Sequence, residues 1–305
     1  MTRSVDILGL GCTAVDELLY VDAYPAADTK APVRRRQRQC GGLTATALVA
    51  AARLGAHCAY AGTLGNDELS DAVLEQFRQA GIDVAHVCRR SDARPIQSFV
   101  IVDERRGTRA ILFDRNAVIG AAPDWPPGEV IRAAKVLYVD QYGIEGMIRA
   151  AAIARDAKVA VVADLEGAEH PRFAELLALV DHLILSHDFA AAITGQRTPD
   201  AAVRALWGPG RKMVAVTCGR EGCWYATGDR PPRHQPAFAV EAVDTTGCGD
   251  VFHGAYAAAL VRELAIPAAL RFASAAAALK ATRCGGQAGI PAWSEVEVLL
   301  ETNPL

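Results

Sequence analysis

The sequence lacks the features that would place it in a membrane or on a nucleic acid. It contains no run of about 18 apolar residues, and its first residues do not show the charged, apolar and small-residue succession of a signal peptide. The formal net charge is −3, from 32 Lys and Arg against 35 Asp and Glu, and the one basic run, residues 34–38, is short enough to be a solvated strand face. We therefore expect neither a nucleic acid nor a membrane as partner.

Paired cysteines are also missing. The eight cysteines show no Cys-x-x-Cys spacing and no zinc-ligand pattern, so they predict neither a disulfide framework nor a structural zinc site. We expect them to be small buried side chains of a protein in the reducing cytoplasm. Apolar residues make up 51% and charged residues 22% of the chain, which is ordinary for a globular enzyme with a full core.

Two nucleotide-binding signatures are absent or incomplete. No Gly-x-x-x-x-Gly-Lys-Ser/Thr occurs, which argues against a P-loop kinase. Gly9-x-Gly11-x-x-Ala14 follows an apolar strand, as in dinucleotide-binding folds, but an extended segment follows it where such a fold requires a helix. A nicotinamide-dependent oxidoreductase is therefore disfavoured.

The chain does show an alternation of strand and helix patterns. Apolar runs predict strands at 136–140, 159–164, 182–185 and 213–217, and helical patterns lie at 43–54, 67–80 with Asn66 as cap, 145–157, 171–179, 187–194, 199–206, 248–263 and 267–282. This order predicts an α/β fold with a mostly parallel sheet covered on both faces. Extended segments at about 12–39 and 96–113 interrupt it, and we expect them to form a small β-sheet lid on a single domain over 1–305.

The strongest chemical signal is the segment Asp244-Thr-Thr-Gly-Cys-Gly-Asp250. Gly247, Cys248 and Gly249 open the helix that follows, and unpaired amides at such a helix start form an anion site. Asp250, in the first turn, is placed to take a proton from a hydroxyl that attacks a phosphoryl group while the amides hold the developing charge. The alternative is a Gly-rich helix start with Asp250 as an ordinary first-turn acid.

Several segments together resemble the ribokinase-like (PfkB) family of carbohydrate and nucleoside kinases. The resemblance covers nearly the whole chain and is carried, in family order, by Gly9-x-Gly11 through Asp16, Gly41-Gly42 followed by Ala50-Ala-Ala-Arg-Leu-Gly55, Gly62-x-x-Gly65-Asn-Asp67, Val216-Thr-Cys-Gly219-x-x-Gly222, the 244–250 segment, and Thr282-Arg-Cys-Gly-Gly286. It implies a three-layer α/β/α fold, ATP with Mg²⁺ as phosphate donor, and a sugar as acceptor.

The resemblance also implies roles for individual residues. Asp250 would be the base, with the amides of Gly247, Cys248 and Gly249 as the anion hole. The acceptor would be bound by Asp16, Gly41, Gly42, Thr46, Lys30 and Gln141. The nucleotide would contact Thr217, Gly219, Gly222, Ala277, Gly247 and Gly249, and a monovalent cation, potassium, would lie at Asp244, Thr246, Ala281 and Cys284. From the residues alone, Asp16 could instead be a turn residue before a strand.

The sequence departs from the family pattern in ways that bear on metal and acceptor. Thr46 stands where many members have Asn, and Ser186-His-Asp-Phe189 replaces an Asn-x-x-Glu near the metal, with Asp164, Glu166 and Asp188 as possible substitutes. The C-terminal half contains His234-Gln-Pro-Ala-Phe238, Val243-Asp-Thr-Thr-Gly247, Asp250-Val-Phe-His-Gly254 and Arg271-Phe-Ala-Ser274. Through these segments it most resembles sulfofructose kinases and then ketohexokinases.

The acceptor residues favour a neutral ketose over a sulfonated sugar. Gln141, and Phe113 or Asp114, stand where a sulfonate-binding member would have Arg and Asn. The alternatives are a nucleoside kinase, a sulfofructose kinase, or a sugar-binding regulator without catalysis. An exposed edge of the lid would also predict a homodimer formed through it.

Overall fold

The structure is a computed structural model that describes residues 5–106, 108–228 and 230–304. Its strands are β1 (Ile7–Gly9), β2 (Ala14–Val21), β3 (Arg35–Gly41), β4 (Cys58–Tyr60), β5 (Thr63–Leu64), β6 (Cys88–Arg89), β7 (Ile96–Asp103), β8 (Thr108–Asp114), β9 (Val136–Val139), β10 (Ala160–Asp164), β11 (His182–Ser186), β12 (Met213–Thr217), β13 (Cys223–Ala226) and β14 (Arg233–Gln235). Its helices are α1 (Leu43–Arg53), α2 (Glu68–Gln79), α3 (Gly128–Arg132), α4 (Ile144–Asp156), α5 (Phe173–Leu179), α6 (His187–Thr194), α7 (Pro199–Leu206), α8 (Cys248–Val261), α9 (Ile266–Ala281) and α10 (Trp293–Thr302), with a 3₁₀ turn over Gly219–Glu221.

The main sheet lies between two helical layers. Its strand order is β14-β13-β12-β11-β10-β9-β1-β4, parallel from β4 to β12 and antiparallel at the β13–β14 edge. Neighbouring strand residues face opposite layers: Tyr138 packs with α1, α2, α8 and α9, whereas Leu137 packs with the α4–α7 side. This arrangement confirms the predicted three-layer α/β/α fold.

A second sheet, which we call the lid sheet, is built from the two extended segments. Its order is β3-β2-β7-β8, and the two segments meet where β2 and β7 pair in parallel, for example Val15 with Gln97. A buried carboxylate on β2, Glu17, accepts hydrogen bonds from Arg36 and Arg38 of β3. The basic run is therefore a strand face held by ion pairs, as expected for a solvated face.

One predicted helix cap is wrong. The α2 helix is capped by Asp67, whose carboxylate accepts the amides of Leu69 and Ser70, both at 3.0 Å. Asn66 instead accepts a hydrogen bond from the Arg89 guanidinium at 3.2 Å. Both residue types cap helices well, so composition alone did not separate these neighbours.

Close packing of α8 against α1 sets the position of the helix start. A Cβ added at Gly254 would overlap the carbonyl oxygen of Ala47, so small residues let the two helix backbones approach. The α8 helix is apolar around most of its circumference and is largely buried. Among the described residues, no helix is long and apolar enough to cross a membrane.

Candidate active site

The site lies at the carboxyl edge of the main sheet, where a buried carboxylate joins three segments. Asp140, directly after β9, accepts the amide of Cys12 at 2.6 Å, the hydroxyl of Thr44 at 2.9 Å and the amide of Tyr142 at 2.8 Å. Burial raises the pKa of Asp140 to about 6 in spite of these hydrogen bonds. A Cβ at Gly11 would overlap Asp140, which explains the glycine of the first motif.

Unpaired amides are present at the start of α8. Gly247 is the N-cap and has a left-handed backbone, with φ 73°. Within the described part of the chain, the amides of Gly247, Gly249 and Asp250 have no hydrogen-bond partner, whereas the Cys248 amide donates to the Thr245 carbonyl at 3.2 Å. The anion site is thus best formed by the two glycine amides and that of Asp250, and the sequence prediction of the Cys248 amide has weaker support. Burial raises the pKa of the Cys248 thiol, so it is not an activated nucleophile.

The charges of several other carboxylates act on the Asp250 carboxylate. Burial, together with the charges of Asp164 and Glu166 and that of Asp16 from the lid sheet, raises the pKa of Asp250 well above its ordinary value. Asp16 on β2 is therefore close enough to Asp250 on α8 for its charge to act on the pKa of Asp250. A carboxylate with a raised pKa is a stronger base once ionised.

A buried histidine fixes the start of α8 against the sheet. His253 follows Asp250 by one turn and places Nδ1 2.8 Å from the Gly249 carbonyl oxygen and 3.4 Å from Asp164, while Nε2 lies 3.0 Å from the Ile184 carbonyl oxygen. The sequence analysis included His253 in a family segment but gave it no role. Its i+3 spacing from Asp250 was the available signal.

The predicted acceptor residues on the lid sheet are brought together. Asp16 lies on β2, where its cross-strand neighbours are Ser98 on β7 and Gln39 on β3; burial raises the pKa of Asp16, and the polar side chains of these two neighbours oppose that shift. A Cβ at Gly41 would lie 3.1 Å from the Asp16 carboxylate, so the glycine leaves room beside it. Asp16 is therefore on a strand rather than in a turn.

The start of α1 connects this acceptor side to the anion site. Gly42 has φ 99°, and a Cβ there would lie 2.7 Å from the Cα of Thr13, so glycine is required. The Thr46 hydroxyl accepts a hydrogen bond from the Gln287 amide at 3.3 Å. The Thr46 methyl is 3.5 Å from the Cβ position at Gly247.

Of the other residues that the sequence analysis weighed for the acceptor, Phe113 lies in the same cross-strand row as Asp16, because both pair with Ser98. Lys30 is exposed in the loop between β2 and β3, and Phe113 is 60% exposed on β8. Asp114 pairs with Arg94 at 2.9 Å. Gln141 lies beyond β9, where its side-chain oxygen accepts the amide of Glu166 at 3.2 Å.

A cavity of about 590 Å³ adjoins the start of α8 and has the size of a small-molecule site. Its walls include six of the residues predicted to bind nucleotide or phosphate: Thr217, Gly219, Gly222, Ala277, Cys248 and Gly249. Ser274 also lines it, on the Ala-rich helix segment 273–281 that the family resemblance implied as the wall beside adenine. Sequence reasoning missed the irregular segment Phe238–Val240, which is a further part of the lining. Predicted residue Gly247 lies beside the cavity lining rather than in it.

Of the three residues named as substitutes near Mg²⁺, two are close to Asp250 and one is not. The charges of Asp164 and Glu166 raise the pKa of Asp250, whereas Asp188 is exposed on the first turn of α6. No cluster of three or more His, Cys, Asp or Glu side chains that could hold a metal occurs in the part of the chain that the structure describes. Mg²⁺ bound mainly by phosphates and water needs only one or two carboxylates, so these two residues fit it.

The four residues predicted to bind a monovalent cation lie near one another in the chain fold. Asp244 and Thr246 precede α8, Ala281 ends α9, and Cys284 is exposed in the turn beyond it. The main chain joins the two segments, because the Ala281 carbonyl accepts the amide of Asp244 at 3.0 Å.

Comparisons with known proteins match the chain to sugar kinases. The chain is 30% identical to the ribokinase of Staphylococcus aureus over 312 residues (97% of this chain, 99% of that protein) and 29% identical to probable fructokinase-4 of Arabidopsis thaliana over 288 residues (86% and 88%). It is 31% identical over 298 residues to a bifunctional ribokinase/ribose-5-phosphate isomerase A of Fructilactobacillus sanfranciscensis; the match covers 93% of this chain but only 54% of that protein.

The solved structure of ribokinase from Thermotoga maritima superposes with a TM-score of 0.85 at 27% identity, covering 97% of this chain and 99% of that one. The family model for pfkB family carbohydrate kinases matches residues 9–293. This match spans the lid sheet, the cavity and the start of α8. The chain therefore belongs to the pfkB family of carbohydrate kinases, ATP-dependent phosphotransferases that act on sugars.

Proposed function

We propose that the protein transfers the γ-phosphate of ATP, as its Mg²⁺ complex, to a hydroxyl of a small neutral sugar, most favourably a ketose. One arrangement supports the proposal: Asp250 lies in the first turn of α8 beside unpaired main-chain amides, a cavity of nucleotide size adjoins that helix start, and the charge of Asp16 acts on Asp250. Such an arrangement suits phosphoryl transfer, because catalysis of that reaction rests on positioning and on electrostatic stabilisation.

The nucleotide and the acceptor enter from opposite sides of Asp250. The adenine and ribose of ATP fill the cavity against Ala277 and the loop at Gly219, which brings the terminal phosphate to the amides of Gly247 and Gly249. Mg²⁺ would be held by the phosphates, water and Asp164 or Glu166, and supplies charge neutralisation when bound. Asp16 accepts hydrogen bonds from a pair of sugar hydroxyls and holds the reacting hydroxyl toward Asp250.

Asp250 removes the proton as the hydroxyl oxygen bonds to phosphorus. The bond from phosphorus to the bridging oxygen of ADP breaks in the same step, and the proton ends on the Asp250 carboxylate. The amides at the start of α8 stabilise the charge on the transferring group. His253 keeps this helix start fixed to β10 and β11 throughout the step.

A neutral acceptor is supported by the groups next to Asp16. Ser98 and Gln39 are uncharged donors and acceptors, which suit hydroxyls rather than a sulfonate or phosphate. Gln141 stands where a sulfonate-binding enzyme would need a cation. The relatives named ribokinase and fructokinase act on an aldose and on a ketose, so both classes belong in the test.

The lid sheet also supports a homodimer. Its edge strand β8 exposes Ile111, Leu112 and Phe113 at 53%, 57% and 60%, an apolar edge that a second copy would cover. We expect a dimer by light scattering, and Leu112→Glu to shift it toward monomer. A monomer at micromolar concentration in the unmodified protein would contradict this part of the proposal.

The deciding experiment is an ADP-release screen with MgATP over ketoses, aldoses, sulfosugars and nucleosides. We expect the largest kcat/KM with a ketose, and loss of the signal in Asp250→Asn, which serves as the matched control. Strongest turnover with a nucleoside or a sulfosugar would replace the proposed acceptor class. Sugar binding by calorimetry without ADP release from any compound would identify a non-catalytic sugar-binding protein.

A further inference from the structure

A fully buried lysine stands near the start of α8, and no step above uses it. Lys280 lies one residue before the end of the Ala-rich helix α9, and its side chain has no solvent exposure. Lysine is among the residues least often buried completely, because its charge must be paired when water is removed. A buried lysine therefore needs a partner that accounts for its position.

The partner is the segment that leads into the catalytic helix. The Lys280 ammonium donates a hydrogen bond to the main-chain carbonyl of Asp244 at 2.7 Å and lies 4.0 Å from the Asp244 carboxylate. That carboxylate also accepts the amides of Thr246 at 2.9 Å and Gly285 at 2.8 Å. Although burial raises it, these hydrogen bonds and the lysine charge together bring the pKa of Asp244 below its ordinary value.

This arrangement does not fit the monovalent cation predicted for the same position. The Ala281 carbonyl already accepts two amides, from Val243 at 2.7 Å and from Asp244 at 3.0 Å, which uses both of its lone pairs. The Asp244 carbonyl is bonded to the Lys280 ammonium. A potassium ion seated on these oxygens would face that ammonium at short range in a buried setting, where repulsion between like charges is strong.

We propose that the Lys280 ammonium is the built-in positive charge of this kinase site, standing where a bound potassium ion would otherwise be, so that the enzyme turns over without a monovalent cation. The inference rests on the proposed kinase function. Lys280 acts as a positioning residue: it holds the loop at Asp244 and places a fixed charge behind the amides of Gly247 and Gly249. Its field reaches the helix start, since it opposes the burial that raises the pKa of Cys248.

The test compares salts and two substitutions. For the unmodified enzyme we expect kcat to differ by less than about twofold between potassium chloride and choline chloride at equal ionic strength. Lys280→Met, which fills the space without a charge, should lower kcat by about 10²-fold in both salts. Lys280→Ala also opens space for an ion. Its kcat should fall by the same factor in choline chloride, rise again by about tenfold in potassium chloride, and rise little in lithium chloride.

Thermal unfolding of the ligand-free protein gives a second readout that needs no activity. Potassium should raise the Tm of Lys280→Ala above its value in choline and leave the Tm of the unmodified protein unchanged. If both variants fail to fold, the salt comparison on the unmodified enzyme still decides, because activation by potassium of tenfold or more overturns the inference. Full activity of Lys280→Met in choline would also overturn it.

The two proposals fail in distinguishable ways. If no acceptor yields ADP in either salt, the kinase proposal fails, and a potassium-induced rise in the Tm of the unmodified protein would then separately overturn the inference. If an acceptor is phosphorylated only in potassium, the kinase proposal stands and the lysine inference alone falls.

Discussion

The two sides of the cleft differ in the chemical groups that line them. The proposed nucleotide side consists of main-chain amides and small residues such as Gly219, Gly249 and Ala277, whereas the proposed acceptor side consists of polar side chains on the lid sheet, Asp16 and Ser98 among them. Main-chain amides bind phosphate whatever the rest of the ligand is. Side chains can change without altering a strand, so the acceptor side can diverge while the nucleotide side stays the same.

The relatives follow the same division. Proteins named ribokinase and fructokinase match this chain at about equal identity, 30% and 29%. A shared phosphate donor with differing acceptors is what a constant nucleotide side and a variable acceptor side would produce. Substitutions on one side should therefore leave the kinetics of the other largely unchanged, which the following predictions test.

The largest effect is expected where the two sides meet. Asp250→Asn should lower kcat by about 10²–10⁴-fold, because the attacking hydroxyl loses its base, while the KM for ATP and for sugar change less than about threefold. Steady-state kinetics measure this. Asp188→Asn, at an exposed first-turn position of α6, is the matched control and should retain full activity. Comparable kcat in both variants would remove Asp250 from its role.

A change confined to the acceptor side should act on the sugar alone. Asp16→Ala should raise the KM for sugar by about 10–100-fold, since hydrogen bonds to a charged group contribute about 1.5–3 kcal/mol, and should leave the KM for ATP unchanged. Glu17→Gln is the control, because Glu17 faces away and bonds Arg36 and Arg38. Equal rises in both KM values for Asp16→Ala would contradict the division.

The converse change fills the cavity on the nucleotide side. Ala277→Leu should raise the KM for ATP by about tenfold through lost space for the nucleotide, with the KM for sugar unchanged. Ala268→Leu, exposed in the first turn of the same helix, is the control and should behave as the unmodified enzyme. An unchanged KM for ATP in Ala277→Leu would show that nucleotide binds elsewhere.

The smallest expected effect concerns stability. The folded-state pKa of Asp250 is raised above that of the unfolded chain, so the ligand-free protein loses stability as pH rises from about 4 through that raised pKa. Asp250→Asn removes this pH-dependent loss of stability, because the amide does not ionise. Its Tm should exceed that of the unmodified protein by about 2 °C or more at pH 8, and the difference should shrink toward pH 5. A difference independent of pH would show that the carboxylate cluster does not carry the effect.

Most of the main sheet was predictable from local sequence. The apolar run of β12 predicted that strand, because buried parallel strands carry a continuous apolar signal. The nucleotide role of the loop after β12 came from the family resemblance and stays a prediction. The two lid segments were predicted as one sheet and do pair. The short strands β13 and β14, and the helices α3 and α10, were not predicted, since none carries a strong periodic pattern of its own.

The remaining misses depended on tertiary packing. A single lysine in an Ala-rich helix is usually solvated, and only the packing of α9 against the segment at Asp244 buries Lys280. The segment Phe238–Val240 lines the cavity without regular structure, so periodicity holds no information about it. His253 was placed on α8 by its pattern, but its contacts come from β10 and β11, which are distant in sequence.

The parallel pairing of β2 with β7 has a consequence for how the protein is made. Residue 14 pairs with residue 96, so a nascent chain has to extend past β7 before β2 gains its second neighbour. Until then the hairpin of β2 and β3 has an unpaired strand edge that is exposed to other molecules near the ribosome. Pairing between strands so far apart in sequence forms slowly. The ion pairs of Glu17 would keep the hairpin in register until β7 pairs with β2.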